Sequence, residues 1–156
     1  MRISVKVDYA IRAMAELAAA SRQDPLKADD IAARQDIPAP FLLTILTDLR
    51  QAQLVRSTRG RHGGYLLARA ADEITLADVI RALEGQLANI RDTSLSDLQY
   101  HGAAAALATV WMAVRTGLRD VLEKVTLAHL IANDLPNHVG AMARTYESEE
   151  RRRHGL

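Results

Sequence analysis

The chain has 156 residues, enough for one domain with a real core, or for a small domain joined to an oligomerisation element, and too few for two full domains. Hydrophobic residues make up 49% and charged residues 25%, which excludes a disordered chain, and no run approaches the ~18 apolar residues of a membrane-spanning helix. Cysteine is absent, so disulfides, thiolate nucleophiles and thiolate-ligated metal or iron–sulfur centres are excluded; the charged start MRISVKVDYAIR is unlike a signal peptide and places the protein in the cytoplasm.

Val7, Ile11, Met14, Leu17 and Ala18 fall on one face at helical spacing and predict a helix over 7–20, which RQDPLK then breaks. A shorter helix fits Asp29 to Gln35, with Ile31 and Ala32 inward and acids in its first turn, where the helix dipole favours them. After DIPAP a third helix runs to about Gln51, with Pro40 at its first position because proline has no amide hydrogen to lose there. It is expected to bury Phe41, Leu42, Ile45, Leu46 and Leu49 and to leave Ala39, Leu43, Thr44, Thr47, Arg50 and Gln51 outside.

Two strand-like runs, LVRS and YLLA, flank TRGRHGG and predict a β-hairpin, with glycines where the turn needs positive φ. Thr75 then precedes an amphipathic run, Leu76 to Leu83, in which TLAD has the form of a capping box with Asp78 in place of Glu, and Gly85 stops the helix. The stretch QLANIRDTSLSDLQYHG is polar and irregular and is expected to be a loop. From Ala103 to Val125 the residues Leu107, Trp111, Val114, Leu118, Val121 and Val125 alternate spacings of four and three, an a/d stripe that wants a partner helix. Thr126 caps a short helix around Leu127 to Ile131, and the remainder is a polar tail.

The net charge of +1 is unevenly spread. Residues 1–69 hold 11 Lys/Arg against 7 Asp/Glu, and residues 70–156 hold 9 against 12. From Leu49 to Arg69 there are five arginines, Arg50, Arg56, Arg59, Arg61 and Arg69, and no acid, a field suited to a polyanion. Three short helices followed by a basic hairpin describe a winged helix-turn-helix: the third helix enters the major groove and the hairpin lies along the backbone or minor groove. The hairpin arginines are then phosphate contacts, and the glycines let the backbone approach the sugar-phosphate surface. A phosphate loop for a nucleotide is not favoured, since neither glycine-rich spacing that marks one is present. No Ser/His/Asp or paired-carboxylate arrangement suggests an enzyme, and none of His62, His101, His129, His138 and His154 is paired at i, i+4 as a metal site would need.

Four stretches carry a resemblance: YAIRAM at Tyr9–Met14, DIAARQDIPAPFLLTILTDLRQAQLVRSTRGRHGGYLLAR at Asp30–Arg69, EITLADVIRALEG at Glu73–Gly85 and VWMAVRTGLRDVLEKVTLAHL at Val110–Leu130. Together they resemble the Rrf-type bacterial transcriptional regulators, the family of IscR, NsrR and CymR, over most of the chain. The resemblance implies a mostly α fold with a small β-hairpin: a winged helix-turn-helix head over 1–85, a loop over 86–102 where many members hold an iron–sulfur cluster, and a dimerisation helix with a short following helix over 103–131. The tail is 132–156. It implies a homodimer on double-stranded DNA at a roughly palindromic operator. The DNA-binding set is Arg2, Ala39, Pro40, Leu43, Thr44, Thr47, Arg50, Arg56, Arg59, Arg61, His62, Gly63 and Gly64, and the dimerisation set is the a/d stripe. The chain departs from the family twice. The loop Leu87–His101 holds none of the cluster cysteines, and Asp8, at a position resembling a non-cysteine cluster ligand, cannot hold a cluster alone, so it is read as a first-turn helix charge and no cofactor is expected. Positions 43 and 44, commonly Glu and Gln in the family, are Leu43 and Thr44, which exchanges a cytosine contact for a thymine-methyl contact. The signal is left open between a small-molecule effector, a protein partner docking on 87–101, and no ligand at all.

Overall fold

The computed structural model describes residues 3–20, 23–87 and 95–153. Helix α1, Val5–Ala19, begins at Ser4, whose hydroxyl oxygen accepts from the Val7 amide at 3.2 Å. The same hydroxyl donates to Glu84, joining the start of α1 to the end of α4. The buried face of α1 is Val7, Ala10, Ala13, Met14 and Leu17, while the expected Ile11 and Ala18 lie at its half-buried margin. The alanines let neighbouring helices approach closely. Helix α2, Ala28–Gln35, buries Ile31 and Ala32 and ends at Asp36 in the left-handed region. Helix α3, Ala39–Gln51, is capped by Pro38, so Pro40 takes its second position, where an amide hydrogen would still lack an intrahelical partner. Leu42, Ile45, Leu46 and Leu49 are fully buried and form the centre of the core with Met14, Ile31 and Ile74.

The hairpin of β1, Val55–Thr58, and β2, Gly64–Leu67, is antiparallel, with Val55 opposite Leu67 and Thr58 opposite Gly64. A third segment pairs with it. Leu26, before α2, exchanges both backbone hydrogen bonds with Tyr65, at 3.0 and 2.8 Å, and anchors the base of the hairpin to the helical head.

Helix α4, Leu76–Glu84, has the expected capping box: the Asp78 amide donates to Thr75 Oγ1 and the Thr75 amide to Asp78 Oδ2, both at 3.1 Å. Gly85 closes it at a φ of 80°. Helix α5 is Leu107–Leu122, shorter at both ends than the periodicity suggested, after a 3-10 turn at Gly102–Ala104. Helix α6, Leu127–Ala132, is capped by Thr126, and helix α7, Asn137–Arg153, occupies what the sequence presents as a polar tail. The two caps face each other across an antiparallel bridge between Thr75 and Thr126: the Leu76 amide donates to the Val125 carbonyl at 2.9 Å and the Leu127 amide to the Ile74 carbonyl at 3.0 Å. The segments ITLADVI (74–80) and VTLAHLI (125–131) thus form a local pseudo-repeat, with His129 in the place of Asp78. Thr126→Ala removes one side of the second cap and is expected to cost about 1 kcal/mol, seen as a drop in melting temperature of about 2–4 °C.

This junction also carries an ion-pair chain. Arg69 approaches Asp78 at 3.6 Å, Asp78 approaches Arg81 at 3.8 Å, Arg81 is hydrogen-bonded to Glu123, and Arg119 reaches the same carboxylate at 3.0 Å. The Arg81 hydrogen bond, aided by Arg119, holds the Glu123 carboxyl below its ordinary pKa. A carboxylate with a lowered folded-state pKa contributes stability above its unfolded value and loses it as the pH falls through the folded one. Glu123→Gln should therefore lower stability at neutral pH and converge on the parent as the pH falls, flattening the acid limb, as read by thermal melts from neutral to acid pH.

Candidate nucleic-acid interface

Burying Leu42, Ile45, Leu46 and Leu49 fixes the rotation of α3 and turns Ala39, Pro40, Leu43, Thr44, Thr47, Arg50 and Gln51 outward, all exposed. This face holds no acid: Asp48, at its edge, is paired to Lys6 at 2.7 Å. The hydroxyls of Thr44 and Thr47 donate back to the carbonyls of Pro40 (3.3 Å) and Leu43 (2.8 Å), leaving their lone pairs and methyls, with the Leu43 side chain, as the outward chemistry. Such a surface matches thymine methyls and exocyclic amines. Arg50 donates to Ser57 of β1 at 3.4 Å, tying the end of α3 to the hairpin.

On the hairpin, Arg56, Arg59, Arg61 and His62 are exposed, and among the described residues none of the three arginines meets an acid. Arg69, expected to be a fourth hairpin cation, is drawn to Asp78 of α4. Gly63 and Gly64 also have a reason within the chain to lack side chains. A Cβ on Gly63 would lie 2.4 Å from the Thr58 carbonyl oxygen, and one on Gly64 would lie 2.4 Å from that of Leu26. Their missing side chains make room for the protein's own backbone. Gly60, at a φ of 103° with open space around it, is the glycine the turn conformation requires. Arg2 lies outside the described residues.

Phe41, expected in the core, is 51% exposed. It stands edge-on to Tyr9, with ring centroids 6.1 Å apart, and lines with Lys6, Pro40, Thr44 and Ile45 a cleft of about 420 Å³ between α1 and α3. The ring thus stands on the wall of an open cleft against Tyr9 of α1 rather than in the core. Lys6 stands in no motif that marks it: it neutralises Asp48 beside the outward face, a pairing that joins positions 42 residues apart in sequence.

On α5 no residue is fully buried. Leu107, Trp111, Leu118 and Val121 are half-buried, whereas Val110, Met112 and Val114 are exposed. Val125 leaves the expected stripe: it follows the end of the helix and is 3% exposed inside its own chain, where its carbonyl closes the Thr75–Thr126 bridge.

An acid-free helix face turned outward beside a hairpin of unpaired arginines makes this a winged-helix DNA-binding protein. The chain belongs to the Rrf2 family, whose model, described as an iron-dependent transcriptional regulator, matches residues 3–133. It is 51% identical over 155 residues to Rv1287 of Mycobacterium tuberculosis, named as an HTH-type transcriptional regulator, a match that spans 99% of this chain and 96% of that protein. It is 34% identical over 130 residues to the HTH-type transcriptional regulator CymR of Bacillus subtilis, covering 83% of this chain and 89% of CymR. The solved structure of B. subtilis CymR, titled the global cysteine regulator, superposes with a TM-score of 0.72 at 32% identity, covering 85% of this chain and 98% of CymR. That of T. potens IscR gives 0.70 at 33% identity, covering 85% of this chain and 88% of IscR. The family and these relatives are transcriptional regulators, not enzymes. No helix among the described residues is long and apolar enough to cross a membrane.

The iron in the family description can be tested against the donors present. The chain has no cysteine, and among the described residues no three His, Asp or Glu side chains gather as a metal would need. Asp8 is engaged by Arg12 at 3.1 Å, and Arg12 also binds Gln35 and lies over the Tyr9 ring, so Asp8 belongs to the α1–α2 packing. These residues do not fit a thiolate-bound cluster.

Proposed function

We propose that the protein is a homodimeric, sequence-specific regulator of the cytoplasm that occupies a roughly palindromic operator and works without an iron–sulfur cluster. The observation that carries the reading is the set of unpaired arginines, Arg56, Arg59 and Arg61, beside an outward face of α3 that has no acid. The wing supplies affinity through phosphates, and Leu43, Thr44 and Thr47 supply sequence preference through base edges. A homodimer is supported by the exposed Val110, Met112 and Val114 on α5, since a twofold pair would set two α3 helices in successive major-groove turns. In this reading residues 1–85 are the DNA-binding head and 103–131 the dimerising segment, joined by the loop 86–102.

Selection from a randomised duplex pool, followed by binding at several salt concentrations, tests the reading. A single enriched palindrome is expected; equal binding to all sequences would refute operator recognition. Thr44→Ala should shift the preferred base at one position in each half-site, changing discrimination there by about 1 kcal/mol without altering the salt slope. The alternative of a protein partner docking on 87–101 gains no specific support: residues 88–94 lie outside the described residues, and Leu87 and Leu95 beside them are buried in the chain.

A further inference from the structure

The outward face of α3 is equipped for one kind of base-edge contact. On a reading helix, arginine or lysine pairs with guanine, asparagine or glutamine with adenine, and a carboxylate with the amine of cytosine, while apolar groups meet the C5 methyl of thymine. The outward positions of the first turns, Ala39, Pro40, Leu43, Thr44 and Thr47, include none of the first three kinds. Leu43 is 48% exposed, one turn from Thr47. Both threonine hydroxyls already donate to backbone carbonyls, of Pro40 at 3.3 Å and of Leu43 at 2.8 Å, so neither has a hydrogen left for a base. Side-chain N–H donors enter this face only at Arg50, which donates to Ser57 at 3.4 Å.

Helical spacing sets Leu43 and Thr47 on one side of Thr44, and Phe41 and Ile45 on the other. Pro40, Phe41, Thr44 and Ile45 wall the cleft of about 420 Å³ together with Lys6, whose ammonium is held by Asp48 at 2.7 Å. A methyl group brought to Thr44 therefore meets apolar surface on both sides. The surface that covers this face is duplex DNA on the reading above: Arg56, Arg59 and Arg61 are exposed beside it and, among the described residues, meet no acid.

We propose that α3 reads the C5 methyl group of a pyrimidine rather than the identity of the base, so that 5-methylcytosine is accepted where thymine is preferred and methylation of cytosine raises affinity. The inference rests on the operator reading above and names the chemical group that the site recognises. Thymine and 5-methylcytosine present the same methyl group in the major groove and differ at C4, which bears a carbonyl in one and an amine in the other. Telling them apart needs a hydrogen for the carbonyl or a carboxylate for the amine, and positions 39, 40, 43, 44 and 47 supply neither. The threonine oxygens keep lone pairs, which suit the amine at least as well as the carbonyl. Uracil and unmethylated cytosine lack the methyl group and leave Leu43 facing water.

Duplexes built on the selected operator test this with the full-length protein, affinity being read by fluorescence anisotropy. Replacing thymine by uracil, one symmetric pair at a time, removes the C5 methyl and nothing else. Burying one methyl group is worth roughly a factor of four, so a loss of about 4- to 16-fold is expected at one symmetric position. With cytosine at that position affinity should be as low as with uracil or lower, and 5-methylcytosine should regain about 4- to 16-fold over cytosine. In Leu43→Ala both methyl effects should shrink below about twofold, whereas in Arg59→Ala, which weakens every duplex, the ratios should match the parent. Leu43→Gln, which adds an amide donor at the same exposed position, is a second variant and should bind uracil and thymine duplexes alike. Equal affinity for uracil and thymine at every position, or for cytosine and 5-methylcytosine at the selected one, overturns methyl reading and leaves operator recognition standing; failure to select any operator overturns both.

Discussion

Replacing Arg59 and Arg61 together by alanine should weaken binding to every duplex, specific or not, by about three orders of magnitude at 0.15 M salt. Each phosphate neutralised by a cation releases counterions and adds about 0.9 to the slope of log affinity against log salt. At 0.15 M salt one such release is worth roughly a factor of five relative to 1 M, so four lost contacts in a dimer compound to roughly 10³. Both arginines are exposed on the hairpin and among the described residues neither meets an acid, so no carboxylate there competes for their charge. For the same reason their loss should leave the melting temperature nearly unchanged. Titrations of one operator duplex and one unrelated duplex from 50 to 300 mM salt would decide the matter. The expected result is parallel loss on both and a slope shallower by three to four; a selective loss on the operator alone would place these arginines at base edges and contradict the phosphate assignment.

What could be read from the sequence was what local chemistry dictates. The Thr75–Asp78 capping box, the stop at Gly85, the Thr126 cap and the outward face of α3 all depend on residues within one or two turns of each other, and all stand where the spacing put them. Phe41 departs because it meets Tyr9 of α1 across a cleft between α1 and α3, a long-range contact that no helical period encodes. Val125 departs because the Thr75–Thr126 bridge draws the chain out of the helix before the stripe is complete, and the two bridged residues lie 51 positions apart. Helix α7 was hidden by composition: Glu147, Glu149, Glu150 and three consecutive arginines look like a solvated tail, yet Glu147–Arg151 and Glu150–Arg153 are spaced as helical ion pairs.

The candidate interface shows the same division. Basic hairpin, acid-free helix face and unusual Leu43–Thr44 pair are properties of short segments and were legible. The clearing of the face by Lys6 and the diversion of Arg69 to Asp78 were not, because in both an ion pair forms between elements that meet only in the folded chain. The net effect is to sharpen the interface: one flanking acid is neutralised, and the hairpin's field is concentrated at its tip, where Arg59 and Arg61 stand.

Gly64→Ala should be severely damaging to the hairpin, through the protein's own backbone. The added Cβ would fall 2.4 Å from the carbonyl oxygen of Leu26 and 2.7 Å from its carbon, both backbone atoms that no rotamer change can move aside. Relief requires Leu26 to separate from Tyr65, which breaks the bonds at 3.0 and 2.8 Å that hold the hairpin base to the head. Two such hydrogen bonds and the packing strain together amount to about 2–4 kcal/mol, or a fall in melting temperature of about 4–16 °C for a chain of this size. With its base released the hairpin no longer holds a fixed angle to α3, so operator affinity should fall well beyond what the loss of folded protein explains. Gly60→Ala is the control: it meets no atom within 4 Å and is strained only by its φ of 103°, costing about 1–2 kcal/mol while leaving the Leu26–Tyr65 bridge intact. Amide hydrogen exchange at Leu26 and Tyr65 separates the two. Fast exchange at both in Gly64→Ala and slow exchange in Gly60→Ala is the expected pattern; protected amides in Gly64→Ala would mean that the bridge accommodates a methyl group and that this glycine serves the DNA surface after all.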